Sequence, residues 1–164
     1  MSDLWPGLNG PAIRYISEAP SEAWRRGVRQ LVLLGSTGSI GGNTLAAIRS
    51  RRRECVVLGL SCARNIKTLA EQAQEFRPPY LAVLDEASAA GLRKLLPTGY
   101  TPEILVGSEG YARLAALPEA DTVLSAQVGA AGLAGTLAAA LAGKVICLAN
   151  KESLVLAGDM LRQV

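Results

Sequence analysis

The 164-residue chain contains no histidine. This absence excludes imidazole metal ligands, a Ser-His-Asp triad and a histidine acid–base catalyst from these residues. The three cysteines, Cys55, Cys62 and Cys147, form no C-x-x-C pair and lie in or beside predicted strands. An odd number of scattered cysteines favours buried free thiols in a reducing compartment, and we therefore expect a cytoplasmic protein.

Long apolar runs and a strong net charge are also missing. No apolar run reaches the roughly 18 residues of a membrane helix, and residues 1–27 lack the apolar centre of a signal peptide, so we expect no membrane association. The net charge is only +3, with basic residues clustered at 25–29 and 49–53. No aromatic residues interleave with the second cluster, so a helix-end role is favoured over nucleic-acid binding.

What the chain does contain is a regular alternation of apolar strands and helical segments. Apolar residues make up 49% and charged residues 19%, as in a globular domain. The pattern predicts the α/β class: a doubly wound (Rossmann-like), mostly parallel sheet with helices on both faces. The predicted strands are residues 28–34, 55–60, 80–84, 104–106, 122–125 and 145–149, and the predicted helices are residues 39–49, 66–76, 86–96, 108–117, 131–142 and 153–164.

The proline- and glycine-containing N-terminus differs in composition from the rest of the chain. We predict that residues 1–27 form a flexible extension and that residues 28–164 form the folded domain. A docked arm is the alternative, because Trp5, Tyr15 and Trp24 are otherwise exposed.

Residues 35–41, with the sequence GSTGSIG, form the most informative segment. They lie between a predicted strand and a predicted helix, which is the context of a dinucleotide-binding turn. There, one glycine makes the tight turn, one lets the backbone approach a pyrophosphate, and one lets the helix pack closely. The spacing is G-x-x-G-x-x-G rather than the commoner G-x-G-x-x-G, so a simple turn is the alternative. An ATP P-loop is excluded because no Gly-Lys-Ser/Thr follows.

Residues 61–65, with the sequence SCARN, follow the second predicted strand and indicate which nucleotide binds. Enzymes that use NAD usually place an acid there to bind the ribose 2′-hydroxyl. This segment has no carboxylate but contains Arg64, which can pair with a 2′-phosphate, so NADP is favoured. The alternative is that Arg64 is a solvated residue before a helix.

Residues 150–153, with the sequence NKES, follow the sixth predicted strand. Lys151 is a candidate to bind an anionic substrate, and Asn150 is a candidate to bind the cofactor. The alternative is an ordinary helix cap with a charged first turn.

These segments together resemble the 1-deoxy-D-xylulose 5-phosphate reductoisomerase family. The resemblance covers about residues 28–164 and rests on four segments in this order: 33–41, 63–65, 128–133 and 148–155. It implies an NADPH-dependent enzyme of the non-mevalonate isoprenoid pathway. That enzyme isomerises and reduces 1-deoxy-D-xylulose 5-phosphate to 2-C-methyl-D-erythritol 4-phosphate with Mg²⁺ or Mn²⁺, and the resemblance implies a homodimer.

The resemblance also implies roles for individual residues. Ala63 departs from the glycine that the family usually has, and its methyl group is expected to crowd the adenosine end. The resemblance implies that the pyrophosphate side of NADPH binds at Thr37, Gly38, Ser39 and Ile40. It implies that the adenosine ribose phosphate binds at Ala63, Arg64 and Asn65. It further implies that Asn150 and Glu152 contact the cofactor and that Lys151 binds the substrate.

The family's metal-binding segment, an acid-Ser-acid-His sequence, has no counterpart among these residues. We therefore expect the metal-binding catalytic domain and the C-terminal domain to be absent from this chain, and the chain alone to be inactive. We assign no catalytic or metal-binding residue here. Two alternatives remain at this point: the NADP-binding domain of another sugar or aldehyde reductase, and a nucleotide-binding regulatory module without catalysis.

Overall fold

A computed structural model describes residues 22–127, 131–149 and 155. Within them, the structure has six strands and six helices. All six strands and five of the helices were predicted, and the helix at residues 22–26 was not. The predicted helix at residues 153–164 lies outside the described residues except for residue 155. The strands are β1 (Arg29–Leu34), β2 (Cys55–Ser61), β3 (Tyr80–Val83), β4 (Glu103–Val106), β5 (Thr122–Ser125) and β6 (Val145–Leu148). The helices are α1 (Glu22–Arg26), α2 (Ser39–Arg49), α3 (Ile66–Phe76), α4 (Glu86–Leu95), α5 (Gly107–Ala115) and α6 (Ala131–Leu141).

The six strands form one parallel sheet in the order β4-β3-β2-β1-β5-β6. The predicted doubly wound fold is confirmed. The chain runs outward from β1 to β4 and then returns to add β5 on the other side of β1. This reversal places a topological switch point between β1 and β5, where sheets of this class bind ligands beyond the carboxyl ends of their strands.

Alternating side chains of β1 enter two separate hydrophobic cores. Leu31 and Leu33 pack with buried side chains of α2, α3 and α4, whereas Val32 and Leu34 pack with those of α5 and α6. A strand covered on both faces must be apolar throughout, which explains the continuous run LVLL at residues 31–34. The central strand is thereby held firmly, and the turn that follows it starts from a rigid support.

Most helix and strand ends lie within one residue of the predicted ends. The side chains predicted to cap α3 and α4, Asn65 and Asp85, are also found at the N-termini of these helices. Asn65 accepts a hydrogen bond from the Thr68 backbone N–H at 3.3 Å and caps α3. The exception is the end of α5, which we expected at Leu117 and which lies at Ala115. Pro118 accounts for the difference, because a proline disfavours helical backbone at the residue before it.

The cysteines are all free, but they are not all buried. Cys62 is buried and Cys55 is half-buried, whereas Cys147 is exposed, so the expectation of buried thiols was wrong for Cys147. Cys147 lies on β6, which pairs only with β5 in the part of the chain that the structure describes.

Helix α1 lies inside the segment that we predicted as an extension. The indole Nε1 of Trp24 donates a hydrogen bond to Thr122 Oγ1 at 2.8 Å, and the Arg29 guanidinium lies 4.8 Å from the centre of the Trp24 ring. Residues 1–21 are outside the described part of the chain. None of the described helices is long and apolar enough to span a membrane.

Candidate functional site

The glycine-rich turn lies at the carboxyl edge of the sheet, between the ends of β2 and β5. The Ser36 backbone N–H donates to the Ser61 carbonyl at 2.8 Å, and the Ala126 backbone N–H donates to the Leu34 carbonyl at 2.9 Å. The ladders on both sides of β1 thus continue to the first residues after the strands. The turn therefore lies at the switch point, where the strand order predicts a ligand.

The three glycines of the turn meet different surroundings. Gly35 has a φ of +84°, and a Cβ on it would lie 2.8 Å from the Ala126 carbonyl oxygen. Gly41 packs against the turn so closely that a Cβ would lie 2.5 Å from the Gly35 carbonyl oxygen. Gly38 has ordinary backbone angles, and a Cβ there would lie 3.5 Å from its nearest neighbour, which is a normal contact. Gly35 and Gly41 are thus required by the fold, whereas Gly38 is not.

Helix α2 begins without a side-chain cap. Gly38 is its N-cap and offers no side chain, and no described residue accepts a hydrogen bond from the backbone N–H groups of Ser39, Ile40 or Gly41. Unpaired N–H groups at a helix N-terminus, together with the helix dipole, attract an anion. Ser39 and Ile40 are exposed and Thr37 is half-buried, so the predicted pyrophosphate residues are accessible at this edge.

The segment from Ala63 to Asn65 connects β2 to α3 and is exposed. The cap bond to Thr68 occupies Asn65 Oδ1 and leaves the amide NH₂ of Asn65 as its donor group. Ala63 does not have a positive φ, so its backbone conformation does not require the glycine of the family. An alanine is therefore compatible with the loop itself.

The positive charge of Arg64 affects the pKa of Asp85, an acid that follows the neighbouring strand β3. Asp85 caps α4 by accepting from the Ser88 backbone N–H at 2.8 Å. Hydrogen bonds from Ser88 hold the pKa of the Asp85 carboxyl below its ordinary value, and the positive charge of Arg64 lowers this pKa further. Arg64 thus places a positive charge at this exposed edge of the site.

A buried polar cluster lies behind the turn and was not predicted from the sequence. It consists of Ser36 in the turn, Ser61 at the end of β2 and Gln72 on α3, all with an exposed fraction of 9% or less. The sequence does carry a signal for Gln72, because its spacing from Leu69 and Phe76 puts it on the apolar side of α3. A glutamine at a core position must find hydrogen-bond partners, and these lie in the turn.

Two further side chains near the edge were not assigned from the sequence. Gln127, just beyond β5, is buried, and no donor within the described residues reaches its Oε1. Cys62, just beyond β2, has a thiol whose pKa burial raises to about 11, so it is protonated at neutral pH. A thiolate nucleophile at this edge is therefore excluded for Cys62.

The candidates Asn150, Lys151 and Glu152 lie outside the described residues. The residue before them, Ala149, donates its backbone N–H to the Ser125 carbonyl at 2.9 Å and so lies at the carboxyl end of β6, beside β5. Residues 128–130 of the third quoted segment are likewise outside the described part.

Two of the four arginines in the second basic cluster, residues 49–53, are paired with the same acid. Arg49 Nη2 lies 2.7 Å and Arg52 Nη2 lies 2.9 Å from the carboxylate of Glu75, and both guanidinium groups lie over the Phe76 ring. These pairings favour the helix-end interpretation of the cluster that the sequence suggested.

Comparison with known proteins gives a consistent result. Residues 31–158 match the family model of 1-deoxy-D-xylulose 5-phosphate reductoisomerase. The reductoisomerase of Nitratidesulfovibrio vulgaris is 60% identical over 152 residues, which make up 92% of this chain and 37% of the relative. That of Lawsonia intracellularis is 53% identical over 151 residues, or 92% of this chain and 38% of the relative. The chain thus spans little more than a third of the length of these relatives.

Solved structures of the same family share the fold. The reductoisomerase from Zymomonas mobilis in complex with NADPH superposes with a TM-score of 0.76 and 37% identity, over 81% of this chain and 35% of that chain. A reductoisomerase in complex with NADPH, fosmidomycin and magnesium superposes with a TM-score of 0.79 and 43% identity, over 82% of this chain and 33% of that chain.

Proposed function

The chain belongs to the 1-deoxy-D-xylulose 5-phosphate reductoisomerase family, and from that premise we propose that residues 28–164 form its NADPH-binding domain. One observation carries the proposal: α2 begins at the switch point with unpaired N–H groups, behind a glycine that the fold itself does not require. A pyrophosphate matches this arrangement in charge and in its acceptor oxygens.

The parts of the cofactor can be assigned along the carboxyl edge. The pyrophosphate binds at Thr37, Gly38, Ser39 and Ile40, in front of β1. The adenosine ribose with its 2′-phosphate binds at the β2 side, where Ala63, Arg64 and Asn65 are exposed. The nicotinamide half then extends towards β5 and β6. The proposed roles of Asn150 and Glu152 in binding the cofactor and of Lys151 in binding the sugar phosphate rest on the resemblance to the family, because these residues lie outside the described part of the chain.

We propose for the whole protein the activity of the relatives: isomerisation and reduction of 1-deoxy-D-xylulose 5-phosphate to 2-C-methyl-D-erythritol 4-phosphate, as a cytoplasmic homodimer. Bound NADPH supplies the hydride. The divalent metal does not fit the described residues, because no three His, Cys, Asp or Glu side chains converge among them. We therefore assign no metal ligand here, and we expect residues 1–164 by themselves to bind NADPH without turning the substrate over.

The first prediction tests the choice of nucleotide. Arg64→Ala should weaken NADPH binding about tenfold and leave NADH binding nearly unchanged, because only NADPH has a 2′-phosphate for the guanidinium. We expect about tenfold rather than a hundredfold because Arg64 is exposed, and charge pairs that stay in contact with water contribute less than buried ones. Titration calorimetry with both nucleotides measures the two affinities.

Lys67→Ala is the matched control for this experiment. Lys67 is an exposed cation of α3, three residues from Arg64, and its removal changes the net charge equally. It should change the NADPH affinity less than twofold. If the Arg64→Ala variant keeps the wild-type preference for NADPH, Arg64 does not select the nucleotide, and the argument for NADP fails. If the wild type binds NADPH and NADH with equal affinity, the chain is better described as another kind of nucleotide-binding module.

A further inference from the structure

Gln72 is a buried polar side chain on α3, and both of its hydrogen bonds are made with Ser36. Ser36 Oγ donates to Gln72 Oε1 at 2.7 Å, and Gln72 Nε2 donates to the Ser36 carbonyl oxygen at 2.9 Å. Its neighbours Leu69 and Ala73 on the same helix are fully buried. Gln72 therefore holds both the side chain and the backbone of Ser36 from within the core.

Ser36 is held from a second side by β2. Its backbone N–H donates to the Ser61 carbonyl at 2.8 Å, and the Gly35 backbone N–H donates to Ser61 Oγ at 3.0 Å. The Ser36 hydroxyl also lies 3.2 Å from the Ser61 carbonyl, which is farther than from Gln72. The first two residues of the turn are thus fixed by α3 and β2 together.

The start of α2 depends on where Ser36 lies. A Cβ on Gly41 would lie 2.5 Å from the Ser36 Cα and 2.6 Å from its carbonyl oxygen, so helix and turn are in direct backbone contact. Gly38 lies between them and offers no side chain to hold the turn. A shift of the Ser36 carbonyl must therefore change the direction of the N–H groups of Ser39 and Ile40.

We propose that Gln72 is a positioning residue for the cofactor: it holds Ser36 so that the N–H groups at the start of α2 face the pyrophosphate. This inference rests on the proposed NADPH-binding function. Gln72 lies behind the turn, in the core, and acts on the nucleotide only through Ser36. It differs in this from the predicted site residues 37–40 and 63–65, which are exposed or half-buried at the edge.

The test replaces Gln72 by methionine, which has a similar length and no hydrogen-bonding amide. Gln72→Met should weaken NADPH binding about tenfold, because the Ser36 carbonyl loses the donor that fixes it. Adenosine 2′-monophosphate, which lacks the pyrophosphate, should bind the variant as it binds the wild type. Gln74→Met is the matched control, since Gln74 is exposed on the same helix; its NADPH affinity should change less than twofold.

Each outcome is decisive when folding is checked by circular dichroism. A wild-type chain that does not bind NADPH overturns the proposed function and this inference with it. If the wild type binds, a folded Gln72→Met variant with unchanged NADPH affinity overturns the inference but not the proposed function. An equal loss of affinity for NADPH and adenosine 2′-monophosphate also overturns the inference, since it indicates a general loss of structure at the site. If Gln72→Met does not fold, Gln72→Leu decides, because it removes the same donor to the Ser36 carbonyl with a smaller side chain. A loss of about threefold or more for NADPH alone supports positioning, whereas no loss overturns it.

Discussion

Replacing Gly41 by alanine is expected to destabilise the domain by about 3 kcal/mol or more. The added Cβ would lie 2.5 Å from the Gly35 carbonyl oxygen and 2.5 Å from the Ser36 Cα. These are backbone atoms of a turn held by hydrogen bonds on both sides, so they cannot move aside as a flexible side chain does. A loss of this size is a large share of the roughly 5–15 kcal/mol that typically stabilises a domain. Urea denaturation measures it.

The neighbouring glycine provides an unusually close control. Gly42 lies in the same helix, one residue further on, and a Cβ there meets nothing within 4 Å. Gly42→Ala should raise the free energy of unfolding by about 0.5–1 kcal/mol, because alanine is the better helix former. If both variants shift the urea midpoint in the same direction, the close packing of α2 on the turn is not as described.

Local signals in the sequence were sufficient to predict most of the fold. The apolar run at residues 31–34 indicated a strand buried on both faces, and Asn65 indicated the start of α3; both are found. Such features depend on neighbouring residues only, so a pattern of a few residues records them. The exposure of Cys147 was not predictable in this way, because it depends on which elements cover that face of β6 and not on its neighbours in sequence.

The sequence predicted the residues that we propose to contact the ligand, but it did not reveal the contacts within the protein that support them. Glycine spacing predicted the turn, and the missing acid after β2 favoured the nucleotide with a 2′-phosphate. The partnership of Gln72 with Ser36 joins residues 36 positions apart, and no local pattern specifies such a pair. The sequence predicted three different tasks for the glycines of the turn, but only the structure shows that the fold requires Gly35 and Gly41 and does not require Gly38.

Replacing Gly38 by valine is expected to abolish most nucleotide binding while leaving the fold intact. Gly38 has φ −80° and ψ 173°, an extended conformation that suits a β-branched residue, and a Cβ meets only the Gly35 carbonyl oxygen at 3.5 Å. The valine methyl groups would stand in front of the N–H groups of Ser39 and Ile40, where the pyrophosphate is proposed to bind. Losing that close approach should weaken NADPH binding about a hundredfold.

Two controls separate this effect from a general loss of structure. Ala46→Val adds the same methyl groups to an exposed position of α2 away from the turn, and it should leave the NADPH affinity within twofold of the wild type. Thermal unfolding should show Gly38→Val to be about as stable as that control, since neither side chain meets backbone at a short distance. If Gly38→Val binds NADPH as the wild type does while remaining folded, the phosphate does not lie at this turn. The unpaired N–H groups of α2 would then be only an exposed helix end.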